Sequence, residues 1–397
     1  MHFFGFVLTV IGTLYLLDLA LLVSAHRVWW RRRWVKYTAL TIPLLVAIGL
    51  GIWGTAHEHQ STTWIVVGAG LTSILFTQLG ALLLALLAAA ILRGAVYVTQ
   101  NVRRPVQLTA DPERRRFLRA GLAAIPLMSA TAAAAGTIRS AQSPSIPRIR
   151  LRYPDLPPDL EGLRILQLSD MHVGPYVGLN DVERLLQRAA ALEPDLVVVT
   201  GDICDHLPDY LATLQRLEGL SPPLGTYASL GNHEYFRGLR AVRACFDQSS
   251  IPLLVEEGIT IPVGAARLHV TGADDPRFLG DAAAHARLRR SVEASLDGAP
   301  ADAFQLLMSH RSQAFDTAAP LGVQLTLSGH THGFQLGFGG RSLFDSWLPK
   351  KYIWGHYGGG ATQLYTSAGV GHWFPFRLGC PPEAPLFTLT SATQETT

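Results

Sequence analysis

The chain has 397 residues, 48% of them hydrophobic and 16% charged, with a formal net charge of +3. Ordinary globular chains carry about 25% charged residues, so composition argues against a water-facing body throughout; the apolar content excludes disorder, and 37 Gly with 3 Cys exclude a collagen-like or disulfide-stapled chain. The average hides a division: residues 1–140 hold 13 Lys and Arg against 4 Asp and Glu, a balance of +9, whereas the remainder carries −6, so no chain-wide basic surface points to nucleic acid.

The first 140 residues read as a membrane region of about four helices. Phe3–Ala25, Thr38–Ala56 and Trp64–Leu92 are apolar runs long enough to cross about 30 Å of hydrocarbon, and an Ala-rich run follows at Phe117–Ile138. Asp18 interrupts the first run and reads as a structural or snorkelling carboxylate. The connections at residues 26–36 and 93–116 are rich in arginine, whereas residues 57–63 have neither Lys nor Arg. The positive-inside rule places the two basic connections in the cytoplasm and whatever follows a fourth crossing outside it. Arg114-Arg115-Arg116-Phe117-Leu118 is similar to a twin-arginine export signal, and a stop-transfer helix flanked by arginines reads equally well over 114–138. Either gives a multi-pass protein of the bacterial cytoplasmic membrane whose C-terminal domain faces the extracytoplasmic side.

Residues 141–158 are rich in Ser, Pro and Arg and read as a linker with a first edge strand; the domain proper runs over 159–397. Its period then alternates between strand and helix. Strands are expected at Leu163–Leu168, Leu196–Val199, Gly225–Leu230, Arg267–Thr271, Phe304–Met308, Val323–Leu327, Gln363–Ser367 and Ala384–Leu389, with helices over 180–192, 239–246 and 281–296. This is an α/β domain with a large sheet core.

The chemistry lies where these strands end. Asp170 and His172, Asp202, Asn232 and His233, His310, and His330 and His332 each follow an expected strand directly. Ligand sites of open α/β sheets form at the carboxyl ends of strands, so separate strands deliver these side chains to one edge. Imidazoles, carboxylates and one carboxamide without thiolate suit two divalent ions such as Mn, Fe or Zn. Such a pair clamps a phosphate and generates a bridging hydroxide at neutral pH, so no Ser or Cys nucleophile is needed.

Asp170-Met171-His172, Gly201-Asp202-Ile203-Cys204-Asp205, Gly231-Asn232-His233-Glu234, Ser309-His310 and Gly329-His330-Thr331-His332 together resemble the motif series of calcineurin-like metallophosphoesterases. Pro375-Phe376-Arg377 and Pro381-Pro382-Glu383 are similar to the tail of the bacterial membrane-anchored branch. The resemblance implies a β-sandwich flanked by helices. It implies Asp170, His172 and His332 as ligands of a first metal, Asp202 as the bridge, and Asn232, His310 and His330 as ligands of a second. It also implies that Asn232 and His233 meet the phosphate, and that His233 protonates the leaving group with Asp205 orienting its ring. The arginines by which protein Ser/Thr phosphatases grip phosphate are replaced by His206 and Leu230, which argues against that role. Phe334 stands where the branch often has a second glycine and is expected at the substrate rim.

The expected activity is hydrolysis of a phosphomonoester, phosphodiester or pyrophosphate, on a phosphate linked to an envelope lipid or glycan. Two rivals stand beside it: a hydrolase of the UDP-2,3-diacylglucosamine pyrophosphatase type, and a non-catalytic membrane sensor or assembly protein on a phosphatase-like fold. Aromatics and lysines among the glycines of residues 334–360 suit either a loop at the lipid headgroups or a packed cover over a sheet edge.

Overall fold

The computed structural model describes residues 2–24, 26–58, 62–102, 131–132, 135–140, 142–347, 352–372 and 374–392. They fall into two compact units, Met1–Arg139 with Phe374–Phe376, and Ser140–Trp373 with Arg377–Thr397.

The first unit holds helices α1 (His2–Ser24), α2 (Arg27–Trp30), α3 (Arg33–Glu58) and α4 (Thr62–Val102). Ile11, Val46 and Leu79 form one buried cluster between them, and Leu22, Val35 and Leu86 another. The expectation of about four crossing helices is corrected. Among the described residues two stretches are long and apolar enough to cross a membrane, Arg33–Trp53 and Gly70–Ile91. In α1 the described apolar stretch is Leu8–Ser24. The twin-arginine-like motif and most of the fourth run lie outside the described residues. Asp18 is buried, and neither carboxylate oxygen has a hydrogen-bond partner among the described residues.

The second unit is built on two mixed sheets. One has the order β1-β13-β2-β3-β4, with β1 Arg148–Tyr153, β2 Arg164–Leu168, β3 Leu196–Thr200, β4 Thr226–Ser229 and β13 Leu386–Ser391. The other has the order β11-β12-β8-β7-β6-β5, with β5 Glu257–Val263, β6 Ala266–Gly272, β7 Phe304–Met308, β8 Leu325–Ser328, β11 Gly355–Gly359 and β12 Thr362–Thr366. Between β8 and β11 the short strands β9 (Gly337–Phe338) and β10 (Arg341–Ser342) pair as a small hairpin.

Side-chain alternation explains why the two sheets stack. Successive residues of a strand face opposite sides. Ile165, Val198, Leu306, Met308, Leu325 and Phe387 therefore pack in one cluster between the sheets. Their neighbours Leu166, Leu168, Val197 and Val199 point outward, where helices α5 (Leu179–Ala190), α6 (Tyr210–Glu218) and α8 (Leu239–Phe246) cover them with Leu185, Leu214 and Val242. On the second sheet Leu307 points outward to meet Leu288 and Val292 of α9 (Ala282–Ser295). Each central strand is thus buried on both faces, which is why it reads in sequence as a continuous apolar run. The short helix α7 (Asn232–Arg237) begins directly beyond β4.

Leu306 is fully buried in the shared core. Leu306→Ala is expected to destabilise the domain by roughly 2–5 kcal/mol through lost transfer energy and a residual cavity. Urea unfolding of the purified full chain checks this; a loss below ~1 kcal/mol would show that the sheets re-close over the gap.

Candidate metal centre

Strands β2, β3, β4, β7 and β8 end at one edge, and the residues that follow them converge. Asp170 and His172 follow β2, Asp202 follows β3, Asn232 opens α7 after β4, His310 follows β7, and His330 and His332 follow β8. Ligand-capable atoms of Asp170, His172 and His332 lie within 4.8 Å of one another, as do those of Asp202, His310 and His330, and those of His172, Asp205 and His233. Asp202 stands between the first two groups, its Oδ2 3.1 Å from His310 Nε2 and 3.7 Å from His172 Nε2.

The backbone is bent to bring them in. Asp170, His172, Asp202, His330 and His332 all have positive φ, between 46° and 73°. Non-glycine residues held there cost of order 1–3 kcal/mol each and persist only where surrounding contacts fix them. Close approach also dictates glycine at two positions. A Cβ on Gly231 would overlap the Asp202 carboxylate, and one on Gly329 would overlap Ser169 and the Asp170 carboxylate.

Several hydrogen bonds fix which ring nitrogens face the centre. His172 Nδ1 donates to Asp205 Oδ2 at 3.2 Å, and His310 Nδ1 donates to the carbonyl of Thr200 at 2.9 Å. Both rings thereby leave Nε2 for the centre, the second-shell arrangement common to metal-binding imidazoles. One ligand-capable atom, Asn232 Oδ1, is buried with no hydrogen-bond partner among the described residues. His172 Nε2 and His332 Nε2 face each other at 3.1 Å. Buried polar atoms left unpaired are costly, and a cation among these donors would satisfy them, so the residues present fit divalent ions.

Electrostatics sort the histidines. Burial, and then the positive charges of Arg311 and His310, hold His330 well below its ordinary pKa; burial, His172 and Arg377 do the same for His332. Those two rings are neutral, the form that binds metal. Burial alone would raise Asp202 and Asp205. The imidazoles around them outweigh it, led by His310 for Asp202 and by His172 for Asp205, and hold both carboxyls well below the usual range. Burial would lower His233, yet the Asp202 and Asp205 charges raise it to about 9, so it holds a proton at neutral pH. Its Nδ1 donates to Asp205 Oδ1 at 2.5 Å, which aims the ring.

Phe334, expected at the substrate rim, is half-exposed beyond His332, and its ring packs on Phe344. No described contact joins that ring to a candidate ligand. His356 bonds Gln363, and His372 is buried against the ring of Tyr176.

The residues that hold the candidate ligands were not assigned roles from sequence. Glu234, the third residue of α7, is fully buried and accepts from the N–H groups of Gly231, Asp202 and Ile203 at 2.8–2.9 Å and from Tyr210 at 3.1 Å. One carboxylate thus ties the loop after β3 to the start of α7. Arg377, also buried, donates to His332 Nδ1 at 3.1 Å and to the carbonyls of Ala368 and Gly371. That segment in turn donates from Val370 and Gly371 to the carbonyls of Ser169 and Asp170. Arg311 is clamped by Asp275 at 2.7 Å and donates to His330 Nε2 at 2.5 Å. The available signals were an arginine directly after His310 and another within Pro375-Phe376-Arg377.

With this geometry in view, comparison with known proteins is direct. The family described as calcineurin-like phosphoesterase matches residues 163–334. An uncharacterized metallophosphoesterase of Aquifex aeolicus is 32% identical over 246 residues, covering 57% of this chain and 85% of that protein. The fold and donor set define a metallophosphoesterase-type domain with candidate metal-binding residues. The chain belongs to the calcineurin-like phosphoesterases. A transmembrane protein with metallophosphoesterase domain from Bos taurus is 29% identical over 298 residues, 71% of this chain and 65% of that protein. The chain therefore spans a little under two thirds of that relative. Among solved structures, the NAD nucleotidase of Haemophilus influenzae is 16% identical, with a TM-score of 0.35, over 52% of this chain and 45% of that one.

Glu234→Gln places an amide N–H₂ against backbone N–H donors. It is expected to lower stability by roughly 1–3 kcal/mol and to reduce bound metal while far-UV circular dichroism is kept. Denaturant titration and elemental analysis measure the two effects; undiminished metal content would show that the two loops are held by other contacts.

Proposed function

We propose that this chain is a membrane-anchored phosphoester hydrolase dependent on two divalent ions, acting on a phosphate linked to an envelope lipid or glycan. The observation that carries the reading is the placement of Asp202 between two donor groups, each with ligand-capable atoms within 4.8 Å. In this reading Asp170, His172 and His332 would hold one ion and Asn232, His310 and His330 the other, with Asp202 available to both. Ions so held would supply Lewis-acid polarisation of the phosphate and a more acidic water, whichever of Mn, Fe or Zn is bound.

The protein's own groups do the rest. His233 meets the phosphate beside Asn232 and gives its proton to the departing oxygen as the ester bond breaks. Asp205 keeps the ring aimed and favours its charged form until that transfer. Arg237, one turn beyond on α7, donates to the same Asp205 oxygen at 3.0 Å and adds positive charge beside the ring.

Membrane anchoring draws support from the two apolar stretches of α3 and α4 and from the transmembrane designation of the Bos taurus relative. Arginine-rich segments on both sides of that helix pair belong in the cytoplasm under the positive-inside rule. Phe338, Leu343 and Trp347 are strongly exposed near the site's rim loop, which suits lipid contact.

His233→Ala is expected to lower kcat by roughly 10²–10⁴-fold on alkyl phosphate esters, whose leaving oxygen needs a proton, and far less on 4-nitrophenyl esters, which do not. The assay uses detergent-purified chain with added Mn, on lipid pyrophosphates and soluble diesters. Equal losses on both ester types would remove His233 as the proton donor. Absence of turnover on every ester by fully loaded wild type would favour a non-catalytic protein.

A further inference from the structure

One group of side chains beside His233 is used neither by the donor cluster nor by the core. Phe236 lies one turn beyond His233 on α7, and the two rings meet edge to face at 5.4 Å. The ring of Phe278, from the loop after β6, stands 5.5 Å from Phe236. The Arg277 guanidinium lies over both phenyl rings, at 5.4 and 5.5 Å from their centres. Phe236 is 40% exposed and Phe278 62% exposed. Arg277 is also exposed, and among the described residues no carboxylate pairs with it.

This cluster is held in register with the centre. Arg277 has a φ of 67°, a conformation uncommon for an arginine. It is fixed from both ends: its N–H donates to Asp275 Oδ1 at 2.5 Å, and its carbonyl accepts from Arg311 at 3.0 Å. Arg311 is the same residue that donates to His330. Behind Arg277 opens a cleft of about 510 Å³, lined also by Arg287 and Arg290 and by the carboxylates of Glu256 and Asp274.

Two exposed phenyl faces and an unpaired guanidinium make a surface of definite chemistry. A flat ring adds to such a stack through the ring quadrupoles, and an anion pairs with the planar N–H fork. Its contact with His233 decides which part of a substrate it meets. During hydrolysis the water oxygen bonds to phosphorus, the ester P–O bond breaks, the His233 proton goes to the departing oxygen, and the proton shed by the water restores His233 through solvent. Groups next to His233 therefore face the leaving group.

We propose that Phe236, Arg277 and Phe278 form a leaving-group subsite that selects a flat aromatic group bearing its own negative charge. The proposal rests on the hydrolase reading above.

The test compares metal-loaded full chain with Arg277→Met and Phe278→Ala on three methyl phosphodiesters whose leaving groups are 4-carboxyphenol, phenol and ethanol. Arg277→Met is expected to lower kcat/KM on the order of tenfold for the carboxyphenyl ester and much less for the phenyl ester. Phe278→Ala lowers both aryl esters, and neither variant changes the ethyl ester. Equal falls on all three esters, or no fall on the carboxyphenyl ester, overturn the subsite. Bound metal is expected at the wild-type level in both variants, and its loss would likewise overturn it. Wild type that hydrolyses none of the three and none of the lipid pyrophosphates overturns the hydrolase reading instead.

Discussion

Polar side chains crowded into a buried edge are costly unless most groups not reserved for a ligand find partners. The phosphoesterase domain meets that constraint with backbone rather than bulk. Five candidate ligands sit in left-handed conformations, which turn short side chains inward from loops that would otherwise present them to water. That strain is offset by buried anchors. Glu234 collects N–H groups from two loops, Arg377 collects the carbonyls of Ala368 and Gly371, and Arg311 bonds His330. Charged hydrogen bonds of this kind are about twice as strong as neutral ones, and each anchor joins elements far apart in sequence.

Asp205 gives the arrangement its direction. One of its oxygens accepts from His172, which belongs to the first donor group, while the other accepts from His233 and Arg237. A change in charge on one side of this carboxylate is felt on the other at hydrogen-bond distance. Burial and neighbouring positive charge hold His330 and His332 neutral, whereas, against burial, Asp202 and Asp205 raise His233 to about 9, and Asp202 and Asp170 raise His310 to about 10.

The sheet strands and their chemistry were legible because burial on both faces writes a plain signal. Leu196–Val199 is continuous apolar sequence and ends in Thr200-Gly201-Asp202, and the structure follows it residue by residue. β5 was missed because Glu257–Val263 is an exposed edge with a glycine and a proline, and β11 because Gly355–Gly359 is glycine-rich. Helix α6 was missed because Leu211, Leu214 and Leu217 are only a short stretch of helical spacing directly after a polar loop. At the centre, the order of Asp, Asn and His at strand ends named the donors, but nothing local says that Glu234 or Arg377 faces inward. Their partners come from other loops, and only the fold supplies that proximity. In the apolar N-terminal third composition found the helices, and among the described residues two of its runs are long and apolar enough to cross.

The place of β13 in its sheet has a consequence for the order in which the domain is built. This strand lies between β1 and β2, parallel to the first and antiparallel to the second, although it follows them by more than two hundred residues. Until it is inserted, β2 has an open edge, and the loop carrying Asp170 and His172 hangs from a strand with one neighbour missing. A chain emerging from the ribosome therefore cannot close the first sheet as it goes. Closure awaits the last strand, the slow, long-range kind of pairing that leaves partly made sheets exposed.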